Sequence, residues 1–388
     1  MKTFGVGMVG YGFMGRMHTY AYQSLPMIYD PPPAKIKLVG VATATPESGR
    51  KAIEQAGYEF DTREFTELLS RRDVHIIDIC TPNNLHKDVA IGALKAGKHV
   101  YCDKPLALNL RQAQEIWEVA REAKTIHQMT FNYRFIPALL RARQLADEGF
   151  LGRIYQFRVA YLHSSYINPD RTASWRTDKA ISGGGASFDL GSHVIDLVRY
   201  LLGDFDSVSA RMETMIGDRP GPSGRVLVEV DDVLWMQARL QSGAMGTIEA
   251  SRLSTGACDE IRFEAHGDKG AIRFNSMDPN WLDVYDATLP EGDYGGDRGF
   301  KRVESVQRYP KPASFPGPKN SIGWIRYHID SLYNFVHNVA VGRQSSPSIY
   351  DGLKVHEVLD AAMRSNKSGR WAEIHGGAGE YDDLCKSV

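Results

Sequence analysis

The sequence predicts an α/β fold in two parts: a doubly wound parallel sheet, then an α+β domain with a large, open, mostly antiparallel sheet. Three observations carry that expectation. A glycine-rich turn, Gly10-Tyr11-Gly12-Phe13-Met14-Gly15, stands between a short apolar run and a helix-compatible stretch. Apolar runs and helical stretches then alternate up to Asn132, the rhythm of parallel strands joined by crossover helices. Beyond it, segments alternating apolar and polar residues dominate, as in antiparallel strands with one face packed. The 388 residues suffice for two or three domains with their own cores, and the boundary is placed between 1–132 and 133–388.

Taken in order, Phe4 to Val9 is long enough for one buried strand, and Arg16 to Ser24 continues the helix after the glycines. Tyr29-Asp30-Pro31-Pro32-Pro33 is a stiff loop. Ile36 to Ala42 reads as the second strand, and Pro46 to Gly57 as a helix with proline in its first turn and glycine at its end. A short helix over Phe65 to Arg71 precedes Val74 to Cys80, a strand apolar enough to be covered on both faces. His86 to Ala96 is a helix stopped at Gly97, and His99 to Cys102 another strand. Asn109 caps a helix through Ala123, with Gln112 completing a capping box. Ile126 to Phe131 closes the first part.

The second part opens with a helix over Pro137 to Glu148. Strands follow at Ile154–Leu162, Val208–Met215, Asp232–Leu240, Ala244–Arg252, Ile261–Ala265 and Gly270–Phe274, with a helix over Ser187–Leu202 after the first. The tract from Asp278 to Lys319, dense in Pro, Gly and Asp, is expected to hold little regular structure. Helices over Ile322–Val341 and Tyr350–Ser365 complete the chain.

Composition excludes several classes. The formal net charge of −1 shows none of the basic excess that draws a protein to nucleic acid or anionic membrane, so a small molecule is the expected partner. Four cysteines without C-x-x-C spacing predict free thiols and a reducing cytoplasm. No apolar run reaches the ~18 residues of a membrane span, and the N-terminus does not read as a signal peptide. An open sheet face favours a homodimer or homotetramer.

The glycine turn carries the first functional signal. Placed between strand and helix, Gly10 permits a tight turn, Gly12 lets a pyrophosphate approach the backbone, and Gly15 lets helix and strand pack closely. Phe13 and Met14 open the helix whose free N–H groups face the phosphates. At the end of the second strand an acid would select the unphosphorylated ribose, but Thr43 stands there, leaving NAD and NADP both open as cofactor. Arg50 and Lys51 lie a helical turn on. Thr81-Pro82-Asn83-Asn84-Leu85-His86 and Asp103-Lys104-Pro105 each follow a strand at its carboxyl end, where open α/β sheets place ligands. Lys104 is suited to stabilising alkoxide character on an oxygen being oxidised. Asp189 and His193, four apart after the Gly183-Gly184-Gly185 run, share a helix face, so the carboxylate orients the imidazole or holds a substrate hydroxyl while His193 accepts a proton. The pair lacks a clear third ligand besides His163, so no metal is expected.

Together these motifs, with Ala96-Gly97-Lys98-His99-Val100, Leu106-Ala107 and Tyr350-Asp351-Gly352-Leu353, make a chain that resembles the Gfo/Idh/MocA oxidoreductases along almost its whole length. The resemblance implies a catalytic set of Lys104, Asp189 and His193, and a cis bond before Pro105. It further implies a cofactor site formed by Gly10, Gly12, Phe13, Met14, Gly15, Thr43, Thr81, Pro82, Asn83, His86, Lys104 and Asn132. Family members usually carry Glu-Lys-Pro, from which Asp103 departs. Asn132-Tyr133-Arg134, Tyr161-Leu162-His163 and Ser174-Trp175-Arg176 resemble the branch that oxidises the 3-hydroxyl of an anhydro-sugar or related pyranose with NAD. There His163 replaces an expected glutamine and Thr43 an expected acid. A substrate site of Lys104, Tyr133, Tyr161, His163, Trp175, Arg176, Asp189 and His193 follows, with the aromatic rings available to stack on a sugar. The activity implied is an NAD(P)-dependent oxidation of a secondary hydroxyl on a sugar, anhydro-sugar or inositol, or the reverse reduction. A glycoside-cleaving enzyme that retains its NAD, and a dinucleotide-sensing regulator without turnover, fit the same residues.

Overall fold

A six-stranded parallel sheet and a nine-stranded mixed sheet organise the molecule, of which the computed structural model describes residues 1–374. The first part runs β1 (Thr3–Val9), α1 (Phe13–Ile28), β2 (Lys35–Ala42), α2 (Pro46–Ala56), β3 (Phe60–Thr62), α3 (Phe65–Ser70), β4 (Ile76–Ile79), α4 (His86–Lys95), β5 (His99–Cys102), α5 (Leu110–Ala120) and β6 (His127–Met129). Its strands lie in the order β3-β2-β1-β4-β5-β6, the doubly wound arrangement whose strand order reverses beside β1. β4 is buried along its length, as its apolar run requires of a strand covered on both faces. The three residues of β3 were too few to show a period.

The second part runs α6 (Pro137–Asp147), β7 (Ile154–Leu162), α7 (Lys179–Ser182), α8 (Ser192–Leu202), β8 (Phe205–Glu213), β9 (Asp218–Gly221), β10 (Gly224–Leu227), β11 (Val233–Leu240), β12 (Met245–Ser251), β13 (Glu260–Gly267), β14 (Gly270–Asn275), β15 (Trp281–Asp286), β16 (Phe300–Glu304), α9 (Trp324–Val341), α10 (Ile349–Ser368) and β17 (Ala372–Glu373). The large sheet has the order β16-β15-β14-β13-β7-β12-β11-β8-β17, antiparallel except where β12 runs parallel to β7. Helices α6, α8 and α10 pack against it. On β11, Trp235, Gln237 and Arg239 are exposed while the residues between them are buried, so the sheet has one packed and one open face. The open face is mainly polar, with Trp235, Met245 and Phe300 among its partly exposed apolar residues.

One expectation is corrected. The tract from 278 to 319 supplies β15 and β16, because Leu282 is buried and Val303 packs beside the same core, a short signal masked by flanking glycines and prolines. A hairpin of β9 and β10 also lies in a stretch without a clear strand pattern. Among the later elements, α9 turns back to pack on α1, placing Ile329, Leu332, Phe335 and Val336 in one cluster with Val6, Tyr22 and Leu25.

Candidate active site

A cleft of about 940 Å³ opens at the carboxyl ends of β1, β2, β4 and β5 and is walled on its far side by residues of the second part. This is the crevice where doubly wound sheets bind ligands. Gly10, Gly12, Phe13, Met14, Thr43, Thr81, Pro82, Asn83, Lys104 and Asn132 line it from the first part and its edge. Tyr133, Tyr161, His163, Trp175, Arg176, Asp189 and His193 line it from the second.

The glycine turn fits a dinucleotide by its geometry. Gly10 has φ +92°, and a Cβ there would lie 2.5 Å from the Cys80 carbonyl oxygen. A Cβ on Gly12 would meet nothing within 4 Å, so that glycine keeps the backbone bare on its open side. A Cβ on Gly15 would lie 2.2 Å from the Gly10 carbonyl, which ties the turn to close packing instead of to the cleft surface. Helix α1 starts at Phe13 with no side-chain cap, leaving its first N–H groups available to an anion. Buried Thr81 Oγ1 and Asn132 Nδ2 have no hydrogen-bond partner among the described residues, and a polar ligand in the cleft would satisfy them. His86, like Gly15, does not line the cleft. It is buried behind the cleft, its ring nitrogens 2.9 Å from the Pro105 carbonyl and 3.0 Å from that of Thr81. A neutral imidazole donates to only one of them. Its place is to tie two loops together, with no contact left for a ligand.

The lysine is positioned from both sides. Asp103 Oδ1 accepts from the Lys104 backbone N–H at 2.9 Å and from Thr130 Oγ1 at 2.7 Å, so the shorter acid still anchors the loop. The bond between Lys104 and Pro105 is cis, as expected. Lys104 Nζ donates to Asp189 Oδ1 at 2.8 Å and to its carbonyl at 2.9 Å. Arg252 Nη2 donates to the other carboxylate oxygen at 3.0 Å. Burial alone would raise the Asp189 pKa, but Lys104 and Arg252 hold it well below the usual carboxylate range.

His193 follows from a different helical geometry than the spacing suggested. Ser187–Gly191 forms a π-helical turn before α8, a feature found frequently at functional sites. Asp189 therefore points to the two cations, and no hydrogen bond joins it to His193 among the described residues. Burial first, then the Lys104 charge, push the His193 imidazole well below its ordinary pKa. It is accordingly neutral and able to take a proton.

Around it, Tyr133 and Tyr161 lie edge-on to His193 with ring centroids 4.9 and 5.8 Å away. Both tyrosine hydroxyls hydrogen-bond to Asp259, and His163 Nε2 lies 3.2 Å from the same carboxylate. These two rings thus enclose the imidazole more than they offer a face for stacking. Trp175 is less buried and carries the Arg176 guanidinium 4.3 Å above its ring.

Among the cleft residues that escaped the sequence reading are Arg63, Arg252, Asp259 and His328. Each is a lone polar residue on a strand end, loop or helix with no neighbouring pattern. A further feature lies beneath the glycine turn, where His18 Nδ1 is 2.9 Å from Asp78 Oδ1 and 3.1 Å from Cys80 Sγ. These three could hold a metal by spacing, but their ligand atoms are already bonded to one another.

The chain is similar to known proteins along most of its length. Residues 4–131 match the family model described as an oxidoreductase family with an NAD-binding Rossmann fold, and 139–273 match the GFO/IDH/MocA C-terminal domain. Levoglucosan dehydrogenase of Pseudarthrobacter phenanthrenivorans is 35% identical over 96% of this chain and 99% of its own. Myo-inositol 2-dehydrogenase of Thermotoga maritima is 27% identical over 95% and 98%. A solved levoglucosan dehydrogenase in complex with NADH and levoglucosan superposes with a TM-score of 0.92 at 36% identity, covering 97% of this chain and 100% of that one.

Proposed function

The chain belongs to the GFO/IDH/MocA oxidoreductase family and is an NAD(P)-dependent dehydrogenase of sugar-like alcohols, and we propose that Lys104, Asp189 and His193 are its catalytic set. The observation that carries this reading is the buried His193 lining the same cleft as the Lys104–Asp189–Arg252 ion cluster. When bound, the nicotinamide supplies the hydride acceptor. The chain's own residues do the rest. His193 takes the proton of the reacting hydroxyl, and Lys104 stabilises the negative charge that grows on the oxygen. Asp189 keeps the lysine in place through both its side chain and its carbonyl. Reduction of a keto-sugar uses the same groups with the proton returned.

The substrate is a secondary alcohol on a pyranose, anhydro-sugar or inositol, in line with the names of the relatives. Tyr133, Tyr161, His163, Trp175 and Arg176 form its wall. Residues 1–132 are assigned to cofactor binding, and 133–388 to substrate binding and self-association, as a homodimer or homotetramer through the open sheet face. Trp235 and Met245 on that face support this, and light scattering of a Trp235→Arg variant reads it. Localisation in the cytoplasm rests on the free thiols of Cys80, Cys102 and Cys258; Cys385 lies outside the described residues. Among those residues no helix is long and apolar enough to cross a membrane.

A panel of pyranoses, anhydro-sugars and inositols, followed by nicotinamide absorbance with each dinucleotide, tests the assignment. Turnover of at least one class, lost in Lys104→Ala, is the expected result. Aglycone release without net cofactor reduction would replace it with the glycoside-cleaving reading.

A further inference from the structure

At the adenosine end of the cleft the chain departs from the arrangement that selects an unphosphorylated ribose. Thr43 closes β2 where that selection asks for a carboxylate. Its hydroxyl is already engaged, donating to the Thr45 carbonyl at 3.0 Å and accepting from Arg63 Nη1 at 2.9 Å. Arg63 comes from the turn between β3 and α3, a neighbouring strand end that no local motif marks. It lines the cleft together with Thr43, Thr45 and Ser48. An ion pair to Asp61 fixes the guanidinium from behind, and its side chain is about one-third exposed. A 2′-hydroxyl needs an acceptor here and meets a cation and committed hydroxyls. A 2′-phosphate needs donors, and finds an arginine whose planar fork suits phosphate oxygens.

We infer that Arg63, set against Thr43, is a 2′-phosphate-recognising residue, so that this enzyme selects NADP(H) over NAD(H). The acids nearby do not reverse the balance. Asp61 is paired with Arg63 itself, and Glu47 lies on the exposed first turn of α2 beside Arg50. This inference rests on the dinucleotide-dependent reading above. It sets the chain apart from relatives solved with NADH.

Binding of NADPH and NADH to the purified protein, by calorimetry or quenching of tryptophan fluorescence, tests it without any substrate. NADPH should bind at least about tenfold more tightly, the scale of a charge-assisted hydrogen bond lost or made, with an affinity that falls as salt rises. Arg63→Ala should weaken NADPH by about tenfold to a hundredfold and leave NADH within about twofold, with Arg63→Lys intermediate. Thr43→Asp in the Arg63→Ala background should tighten NADH. Tighter NADH binding by the unaltered chain, or an equal loss of both ligands in Arg63→Ala, overturns the inference while leaving the dehydrogenase reading intact. A chain that binds neither overturns both.

Discussion

The surroundings of His193 suit the proton acceptor proposed for it, and the sign of their effect fixes a pH dependence. Burial disfavours the imidazolium and Lys104 repels it, so the folded-state pKa lies below the ordinary 6.5. The basic form then persists as pH falls past 6.5 and is lost only through the lower value. The acid limb of kcat/KM should accordingly lie below pH 6.5, and a limb centred above it would rule His193 out as the proton acceptor. Replacing His193 by Asn should cost about 10²–10⁴ in kcat, the usual weight of a general base. Lys104, Asp189 and His193 were legible because each sits in a motif tied to a strand end or a glycine run. Arg252 and Asp259 were not, since they are single charges whose partners arrive from residues far apart in sequence. Asp259 illustrates the difficulty: it gathers Tyr133, Tyr161 and His163, and nothing in its own neighbourhood announces that. Its pKa, which burial would raise, is lowered by His163 and the two tyrosine hydroxyls.

At the scale of elements, the helix that carries Asp189 and His193 begins on a loop from elsewhere. Asp231 accepts the N–H of Gly185 at 2.8 Å, the N–H of Ser187 at 2.7 Å and the Ser187 hydroxyl at 2.8 Å. Gly185 has to be glycine for this docking, as a Cβ there would lie 1.8 Å from the Asp231 carbonyl oxygen. The glycine run was visible in the sequence. Its partner and the π-helical turn were not, since a spacing of four reads equally as an ordinary α-helix. Losing the Asp231 carboxylate should cost about 1–2 kcal/mol of stability, as for other helix caps. Because the cap also sets where Asp189 meets Lys104, Asp231→Ala should lower kcat more than it raises KM, and Asp231→Asn, which keeps one of the two acceptor oxygens, should recover part of the loss. Urea melts and steady-state kinetics on the two variants read this. An alanine variant with unaltered kcat would reduce Asp231 to a purely structural cap.

At the scale of the whole molecule, the first sheet depends on a helix nearly two hundred residues beyond its last strand. The alternation of strands and helices up to residue 132 made the sheet legible, yet no local pattern could say which late helix covers α1. The structure assigns that to α9. Tyr29 stacks on Tyr333 with centroids 3.8 Å apart and donates to the Asp330 carboxylate. Tyr101 Oη lies 2.9 Å from Ser331 Oγ, and Gln128 Nε2 donates to the Ser331 carbonyl at 2.9 Å. Four apolar side chains, Ile329, Leu332, Phe335 and Val336, are buried there, each contributing about 1.5–3 kcal/mol on full burial. Stability on that order is comparable to the whole net stability of a typical domain. A fragment of residues 1–132 should therefore expose the α1 face, bind a hydrophobic dye and lack a cooperative melt, while the full chain unfolds its two sheets in one transition. Supplying a peptide of residues 322–343 in trans should partly restore the melt. A fragment that melts cooperatively and stays monomeric alone would show instead that α9 is attached to a cofactor domain already complete.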